Sequence, residues 1–587
     1  MTVQTEEFIL QGRPISKGIA IGRAFFLSPL EEKTKEKSIT QKEIDLEIKK
    51  YRKALQKSKK DLLLLQKMFA KESSKPITEI LDAQIEILKD PYLTESVEEK
   101  IKTLKKSSQF AFQSVIGEYK KRFSKIKDDF FEDRIKDIID VSHRVLKHLK
   151  QTRTINVEKL PSSCVILAKE ITPTEAAEAA SDQIQAFVTQ DGSIASHAAI
   201  IARAKAIPFI ANVDLSAIKN VKIDQIIVDG VNGNVIINPS RATLKKYHHL
   251  LEKLQNYFST LEEEASLPPL TKDEVEIQTY STVEVFSDVD ISLEYGAKGI
   301  GLFRSEFLFL TEKVMPTEEM QFRVYKQIAE KLKDKPFVIR IFDVGGEKDF
   351  LFSRFEENTS FMPHEINPVL GCRSIRFLLR NEEILKTQLR AIIRASHFGD
   401  VQILLPMVSD VTELQRVKSL VKICQKELKN EKVPFSSNIP IGVMIEVPAS
   451  AIIADFFLEE ADFLSIGTND LTQYVLAADR NNPLMCHLYH CAHPSLLRIL
   501  LMVQSMASSS QKPIYICGEM AADPKFMPLL IGMGFRHFSV GSCQLPTLKH
   551  TIRSISLRDS KKLLHQALEL KTANELQDFL LQNENVN

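Results

Sequence analysis

The hydrophobic rhythm of the chain changes several times along its length. Between about residues 33 and 150, apolar positions recur at helical spacing, as in Ile44, Ile48, Tyr51 and Leu55, which predicts amphipathic helices with one inward stripe. Thr40 followed by Glu43 is a capping-box pattern for the first long helix, and Pro76 and Asp90-Pro91 punctuate the later ones. From about 155 to 240, short apolar runs (CVILA, QAFVT, PFIA, QIIVDG) alternate with Ala-rich stretches, predicting an α/β domain. Asn232-Gly233, between IIVDGV and NVIIN, predicts a hairpin, because both turn residues tolerate positive φ. The opening segment GRPISKGIAIGRAFFL is also strand-like; its return to the α/β domain would make the helical block an insertion.

Leu244, Tyr247, Leu251, Leu254, Phe258 and Leu261 fall alternately three and four apart, a heptad seam ended by Pro268-Pro269. It reads as a linker helix, with either neighbouring domain or a second subunit as its packing partner. Beyond about residue 270 the runs GIGLF, FVIRIFD, VQILLPM, IGVMIE, FLSIG, PIYICG and HFSVG alternate with helical stretches, and Asp410 to Glu413 marks one helix start. Roughly 300 residues of βα repeats predict a TIM barrel with its polar groups just after the strands. The expected organisation is a multidomain α/β chain. Residues 1–32 and 151–240 form an α/β domain, 33–150 an inserted helical subdomain, 241–267 a linker helix and 268–587 the barrel.

A length of 587 residues fits about three or four units. Lys plus Arg (78) nearly balances Asp plus Glu (77), so the chain lacks the broad basic field of a nucleic-acid binder. No apolar run reaches the roughly 18–20 residues that span a bilayer. The start MTVQTEEFILQGR lacks the basic and apolar regions of an export signal, and the protein is read as cytoplasmic. Its seven cysteines form no CxxC pair, which argues against a disulfide framework or a zinc knuckle.

The candidate chemistry follows the strand runs of the last third. Arg304 comes after GIGLF, Arg340 lies within FVIRIFD, Glu446 follows IGVMI, Asn469-Asp470 follows FLSIGT and Cys517 follows PIYI. Singly, each has a structural reading: an arginine at a strand end is commonly a salt-bridge partner, and a buried cysteine is usually inert. Together they point elsewhere. Arg304, Arg340, Arg373 and Arg480 around a barrel mouth would repel one another unless an anion filled it, so the substrate is expected to carry several negative charges. Glu446 and Asp470 offer hard oxygen ligands to a Mg²⁺ ion that keeps several waters and takes its other ligands from a phosphate. Gly345-Gly346 in DVGGEK lets backbone approach closely, with Lys348 as a further cation.

GIGLFRSEFLFL, DVGGEK, NPVLGCRSIR, QLRAIIRAS, MIEVPAS, DFLSIGTNDLTQYVLAADR and CGEMAAD occur in that order. This series resembles enzyme I of the bacterial phosphoenolpyruvate:sugar phosphotransferase system. The resemblance implies that Arg304, Arg340, Asn469 and Arg480 bind phosphoenolpyruvate with Arg373 nearby, that Glu446 and Asp470 hold Mg²⁺, and that Cys517 protonates the enolate. A thiol of ordinary pKa, near about 8.5, is a credible donor.

Ser196-His197-Ala-Ala-Ile-Ile-Ala-Arg follows an Asp-Gly-Ser loop, and its residues after His197 favour helix. His197 therefore sits at a helix start, where free N–H groups and the dipole favour a phosphate on the imidazole. By resemblance His197 is the phosphorylated histidine. The family usually reads Gly-Gly-Lys/Arg-Thr-Ser-His; this chain reads Gly192-Ser193-Ile194-Ala195-Ser196-His197, without the cation and one hydroxyl. Thr172, in the segment Glu170 to Glu175, is a candidate hydrogen-bond partner of the imidazole.

The resemblance further implies a swivelling histidine domain, a helical block that docks the phosphocarrier HPr through segments matching Ile85 to Asp90 and Arg134 to Asp140, and homodimerisation through the barrel. Gln84 stands where some relatives have histidine. Two other readings compete. A pyruvate–phosphate dikinase or phosphoenolpyruvate synthase needs a nucleotide-binding domain ahead of the histidine, and no glycine-rich phosphate loop precedes His197. A scaffold without turnover is motivated by the altered residues 193–195 and opposed by the retained arginines, carboxylates, Cys517 and His197.

Overall fold

The computed structural model describes residues 7–584 apart from 28–37, 72–83, 86, 90, 124–137, 139–140, 143, 147, 150–162, 172–175, 177–183, 193–196, 206, 219–220, 309–314, 346–364, 366, 481, 483 and 509. The chain divides into two compact units, Met1–Gln255 and Asn256–Asn587.

In the first unit the strands β1 (Phe8–Gln11), β2 (Arg13–Ser16) and β3 (Ile19–Phe26) share one sheet with β4 (Cys164–Ala168), β5 (Ile184–Thr189), β6 (Phe209–Ala211), β7 (Ile226–Asp229) and β8 (Asn234–Ile237). The order is β1-β8-β7-β3-β4-β5-β6-β2. β3 pairs in parallel with β4 although more than a hundred residues separate them, because the helical block is spliced between two sheet neighbours. Every residue of β4 is buried, as expected of a strand covered on both faces. Cys164, Ile166 and Ala168 join one core, while Val165 and Leu167 join another on the opposite face. The first core also takes in Tyr51, Val97, Ile101 and Phe112 of the helices Ile44–Lys71, Pro91–Leu104 and Ser108–Phe123, which is why the helical block and the sheet form one unit. The predicted capping box is present: Glu43 Oε2 accepts the Thr40 N–H at 2.8 Å.

The predicted β7–β8 hairpin forms, with a loop longer than the Asn232-Gly233 pair. The loop is four residues, 230–233, and only Gly233 has positive φ (74°). Asp229 captures the loop instead, its Oδ1 accepting the N–H groups of Val231 and Asn232 and its Oδ2 the Asn232 amide. That local hydrogen bonding replaces the strained first position of a two-residue turn.

The expected linker is one helix, Arg241–Ala265, and the division between the units falls within it. Tyr247 packs on Ile227 and Ile236 and donates to Asp229. Leu261 and Ala265 are buried at the other end, whereas Phe258, the seam position directly before Leu261, is 59% exposed.

The second unit is a closed barrel of eight parallel strands: β9 (Gln278–Val283), β10 (Ile300–Arg304), β11 (Phe337–Arg340), β12 (Val401–Leu405), β13 (Ile441–Ile445), β14 (Phe463–Gly467), β15 (Ile514–Cys517) and β16 (His537–Gly541). Inward residues Tyr280, Leu302, Val338, Leu404, Met444, Phe463, Tyr515 and Cys517 fill the interior, and the outward residues pack beneath the helices. The volumes are complementary: a Cβ on Gly442 would lie 2.3 Å from the Phe463 ring. The Asp410–Glu413 capping box opens the helix Val411–Asn430. No helix among the described residues is long and apolar enough to cross a membrane.

Candidate active site

Because all eight barrel strands run the same way, their C-terminal ends form one rim. β10 ends at Arg304, β11 at Arg340 and β15 at Cys517; Glu446 directly follows β13; and the helix Thr468–Leu476, starting where β14 stops, carries Asn469 and Asp470. These residues and Arg480 line one cavity of 320 Å³, together with Glu306, Asp343, Gly518 and the apolar Leu302, Phe307 and Met444. Gly346 and Lys348 lie outside the described residues.

For three of the four arginines the expected mutual repulsion is relieved by carboxylates of the protein. Arg304 Nη1 donates to Glu284 Oε1 at 2.6 Å, and Arg340 Nη2 to Glu306 Oε1 at 3.0 Å with Asp343 Oδ2 at 3.6 Å. Arg373 does not face the mouth: only 1% exposed, it spans Asp343 with bonds of 2.9 and 3.0 Å and reaches Asp470 Oδ1 at 3.3 Å. Burial alone would lower the pKa of Arg340 and Arg373; the adjacent Glu306 and Asp343 on Arg340, and Asp343 and Asp470 on Arg373, hold both above the ordinary arginine value instead. Arg340 Nε remains buried with no hydrogen-bond partner among the described residues, the kind of orphan donor that an anionic ligand satisfies.

Glu446 is buried, and its Oε1 accepts the Met407 N–H at 2.6 Å. Burial, then the neighbouring Asp470 charge, push its carboxyl up to about 8 against the opposing pull of Arg340. Two carboxylates lining one cavity suit a divalent cation that neutralises both. Among the described residues no group of three His, Cys, Asp or Glu side chains is placed to hold a metal. A pair of carboxylates is what Mg²⁺ commonly takes, completing its shell from water and phosphate.

Cys517 Sγ donates to Ile466 O at 3.2 Å and lies 3.7 Å from Ser465 Oγ. Burial pushes the thiol up to about 11, above the ordinary value assumed from sequence, so it stays protonated at neutral pH. Gly518 follows with φ +91°, and a Cβ there would come within 2.4 Å of Thr468 Oγ1. Asn469 Oδ1 accepts the Glu519 N–H at 2.8 Å, which fixes its amide across the rim. A wider opening of 650 Å³ shares Arg304, Asn469 and Gly518 and carries the exposed Cys543.

In the first unit His197 is the first residue of the helix His197–Ala204, whose Ala198, Ala199, Ile201 and Ala202 anchor it in the core. Residues 193–196, Thr172 and Glu175 lie outside the described residues. Gln84 and Ile85 are buried in the helical block; Asp90 and, apart from Ile138, the segment 134–140 lie outside. Glu284, Glu306 and Asp343 are site residues that the sequence reasoning missed. The available signal was position: Glu306 stands two residues past Arg304, and Asp343 opens DVGGEK.

Three family models match the chain in order: the N-terminal domain of phosphoenolpyruvate-utilising enzymes over 11–134, their mobile domain over 160–233 and their phosphoenolpyruvate-binding domain over 259–557. The barrel and its charged cavity thus lie in the part shared by phosphoenolpyruvate-utilising enzymes. A phosphoenolpyruvate-protein phosphotransferase of Priestia megaterium is 35% identical, covering 97% of this chain and 98% of its own. One of Buchnera aphidicola is 37% identical with the same coverage. A solution structure of an enzyme I protein is 31% identical over 42% of this chain and 99% of its own, with a TM-score of 0.36. The chain belongs to the phosphoenolpyruvate-protein phosphotransferase family.

Proposed function

We propose that this protein moves the phosphoryl group of phosphoenolpyruvate to its own His197, releases pyruvate, and passes the group to a histidine of the carrier HPr, in support of sugar transport or its regulation. The observation that carries the reading is the single cavity in which Arg304, Arg340 and Arg480 meet Glu446, Asp470 and a protonated Cys517. Phosphoryl transfer is mostly positioning and neutralisation of spreading charge. Arg304, Arg340 and Arg480 hold the phosphate and carboxylate, Arg340 through its orphan Nε among other donors, and the Asn469 amide orients the substrate. Arg373 acts one layer back by fixing Asp343 and Asp470. Lys348 is assigned as a further cation.

Glu446 and Asp470 would hold Mg²⁺, which when bound supplies positive charge at the moving phosphoryl group and the leaving oxygen. The P–O bond to the enol oxygen breaks as a P–N bond to the His197 imidazole forms. The pyruvate enolate then takes a proton at its methylene carbon from Cys517 Sγ. Apolar Leu302 and Met444 beside the thiol keep water from competing for that proton. The same reading places the protein in the cytoplasm, as a homodimer through the barrel.

The test is to incubate the full chain with Mg²⁺ and phosphate-labelled phosphoenolpyruvate, map the acid-labile label and repeat with His197→Ala. Label on His197 that chases onto an HPr-type protein is expected. Phosphoenolpyruvate bound without label on His197 would sink the reading in favour of a scaffold.

A further inference from the structure

Gln388 lies on the helix Glu382–Ala395, is 0% exposed and does not line the cavity. Its amide is nonetheless fully used. Oε1 accepts the Phe342 N–H at 2.9 Å, and Nε2 donates to Ser305 Oγ at 3.0 Å and to the Tyr325 hydroxyl at 3.2 Å. A satisfied buried amide is by itself only a sound piece of packing. The destination of these bonds is what singles it out.

Ser305, adjacent to Arg304, accepts from Gln388 and passes its own hydrogen to Arg340 O at 2.6 Å. Phe342 lies between Arg340 and Asp343, in a segment that has already left the strand. There the Ile341 N–H still reaches Leu404 O at 3.0 Å, but the next two donors are caught by side chains: Phe342 by Gln388, and Asp343 by Glu306 Oε1 at 2.7 Å. The hydrogen bonds run in one consistent direction, since Tyr325 accepts from Gln388 and donates to Gln321 Oε1 at 3.3 Å. Only one orientation of the Gln388 amide satisfies them. The helix behind it is anchored by buried Leu385, Leu389 and Ile392.

We infer that Gln388 is a positioning residue for phosphoryl transfer: through Ser305 and Phe342 it fixes the backbone that presents Arg304, Arg340 and Asp343 at the cavity. This rests on the phosphoenolpyruvate reading above. Gln388 touches no reacting atom, so its effect passes through placement of the arginines, where a displacement of about 1 Å costs on the order of a hundredfold.

The experiment is single-turnover labelling of His197 in the full chain with Mg²⁺, read as the half-saturating phosphoenolpyruvate concentration and the limiting rate. Gln388→Met keeps the length of the side chain and removes its hydrogen bonds. It is expected to raise half-saturation about tenfold and to lower the limiting rate. Ser305→Ala should move both readings the same way, and the double variant should be little worse than the stronger single one, because one linkage is broken twice. Leu428→Ala, in the outer core on Val411–Asn430, should lower the melting temperature without moving half-saturation; this separates positioning from stability. Wild-type kinetics in a folded Gln388→Met variant overturn the inference alone. Failure of the wild type to label His197 overturns the parent reading and this inference with it. Should Gln388→Met fail to fold, Ser305→Ala decides on the same terms.

Discussion

Glu446 and Cys517 face one cavity and are both driven toward their protonated forms by burial, with opposite uses. A protonated thiol is the form that can give hydrogen to carbon. Cys517→Ala is therefore expected to slow pyruvate formation by about 10²–10⁴-fold, the usual worth of a general acid, with phosphoenolpyruvate affinity unchanged by calorimetry. A protonated Glu446 is instead the wrong form for holding a cation. In metal-free protein its folded value near 8 exceeds the unfolded value, so between about pH 4.3 and 8 the native state keeps a proton that the unfolded chain releases. Stability thus falls as pH rises through that window. Melting curves in chelator should show the decline, Glu446→Gln should flatten it, and Mg²⁺ affinity should strengthen as pH approaches 8. The residues that follow strand runs were legible in the sequence because an abrupt polar group after an apolar stretch stands out. Glu306 and Gln388 were not, because a lone carboxylate or amide leaves no periodic mark and its partners are distant in sequence; Asp343, which closes the run FVIRIFD, carried the signal of position.

Among the barrel elements, β10 to β16 are legible as apolar runs, whereas β9, QTYSTV, is not. Its Thr279 and Ser281 are buried, and Thr282 Oγ1 meets Ser539 Oγ at 3.0 Å; hydroxyls paired across strands occupy positions where the pattern calls for aliphatic side chains. The Asn232-Gly233 hairpin was legible as a turn but not as a type, since Asp229, three residues upstream of Asn232, decides the loop conformation. Strand packing also sets a size limit that composition does not reveal. With the Phe463 ring 2.3 Å from the site of an added Cβ, Gly442→Ala should cost about 1–3 kcal/mol by overpacking, measurable by denaturant titration of the barrel unit.

Over the whole molecule, the hydrophobic period separates the helices Ile44–Lys71, Pro91–Leu104 and Ser108–Phe123 from the strands of the first sheet, but the sharing of one core by the helical block and the sheet was not legible. The two compact units predict two calorimetric transitions. In the His197→Ala variant, which cannot take up the phosphoryl group, phosphoenolpyruvate with Mg²⁺ should raise only the one belonging to 256–587, because a ligand stabilises the unit that binds it. A single transition that shifts as a whole would contradict this. The placement of the free thiols also shapes how the protein meets electrophiles. Cys517, enclosed and with its pKa near 11, presents almost no thiolate at neutral pH and reacts slowly. Cys543 is exposed beside the opening that holds Arg304 and Asn469, so covalent fragments and alkylating poisons should tag it before Cys517. Inactivation by such reagents would then report an obstructed entrance rather than a consumed proton donor, and the entrance offers an anchor for inhibitors that leaves the chemistry beneath intact.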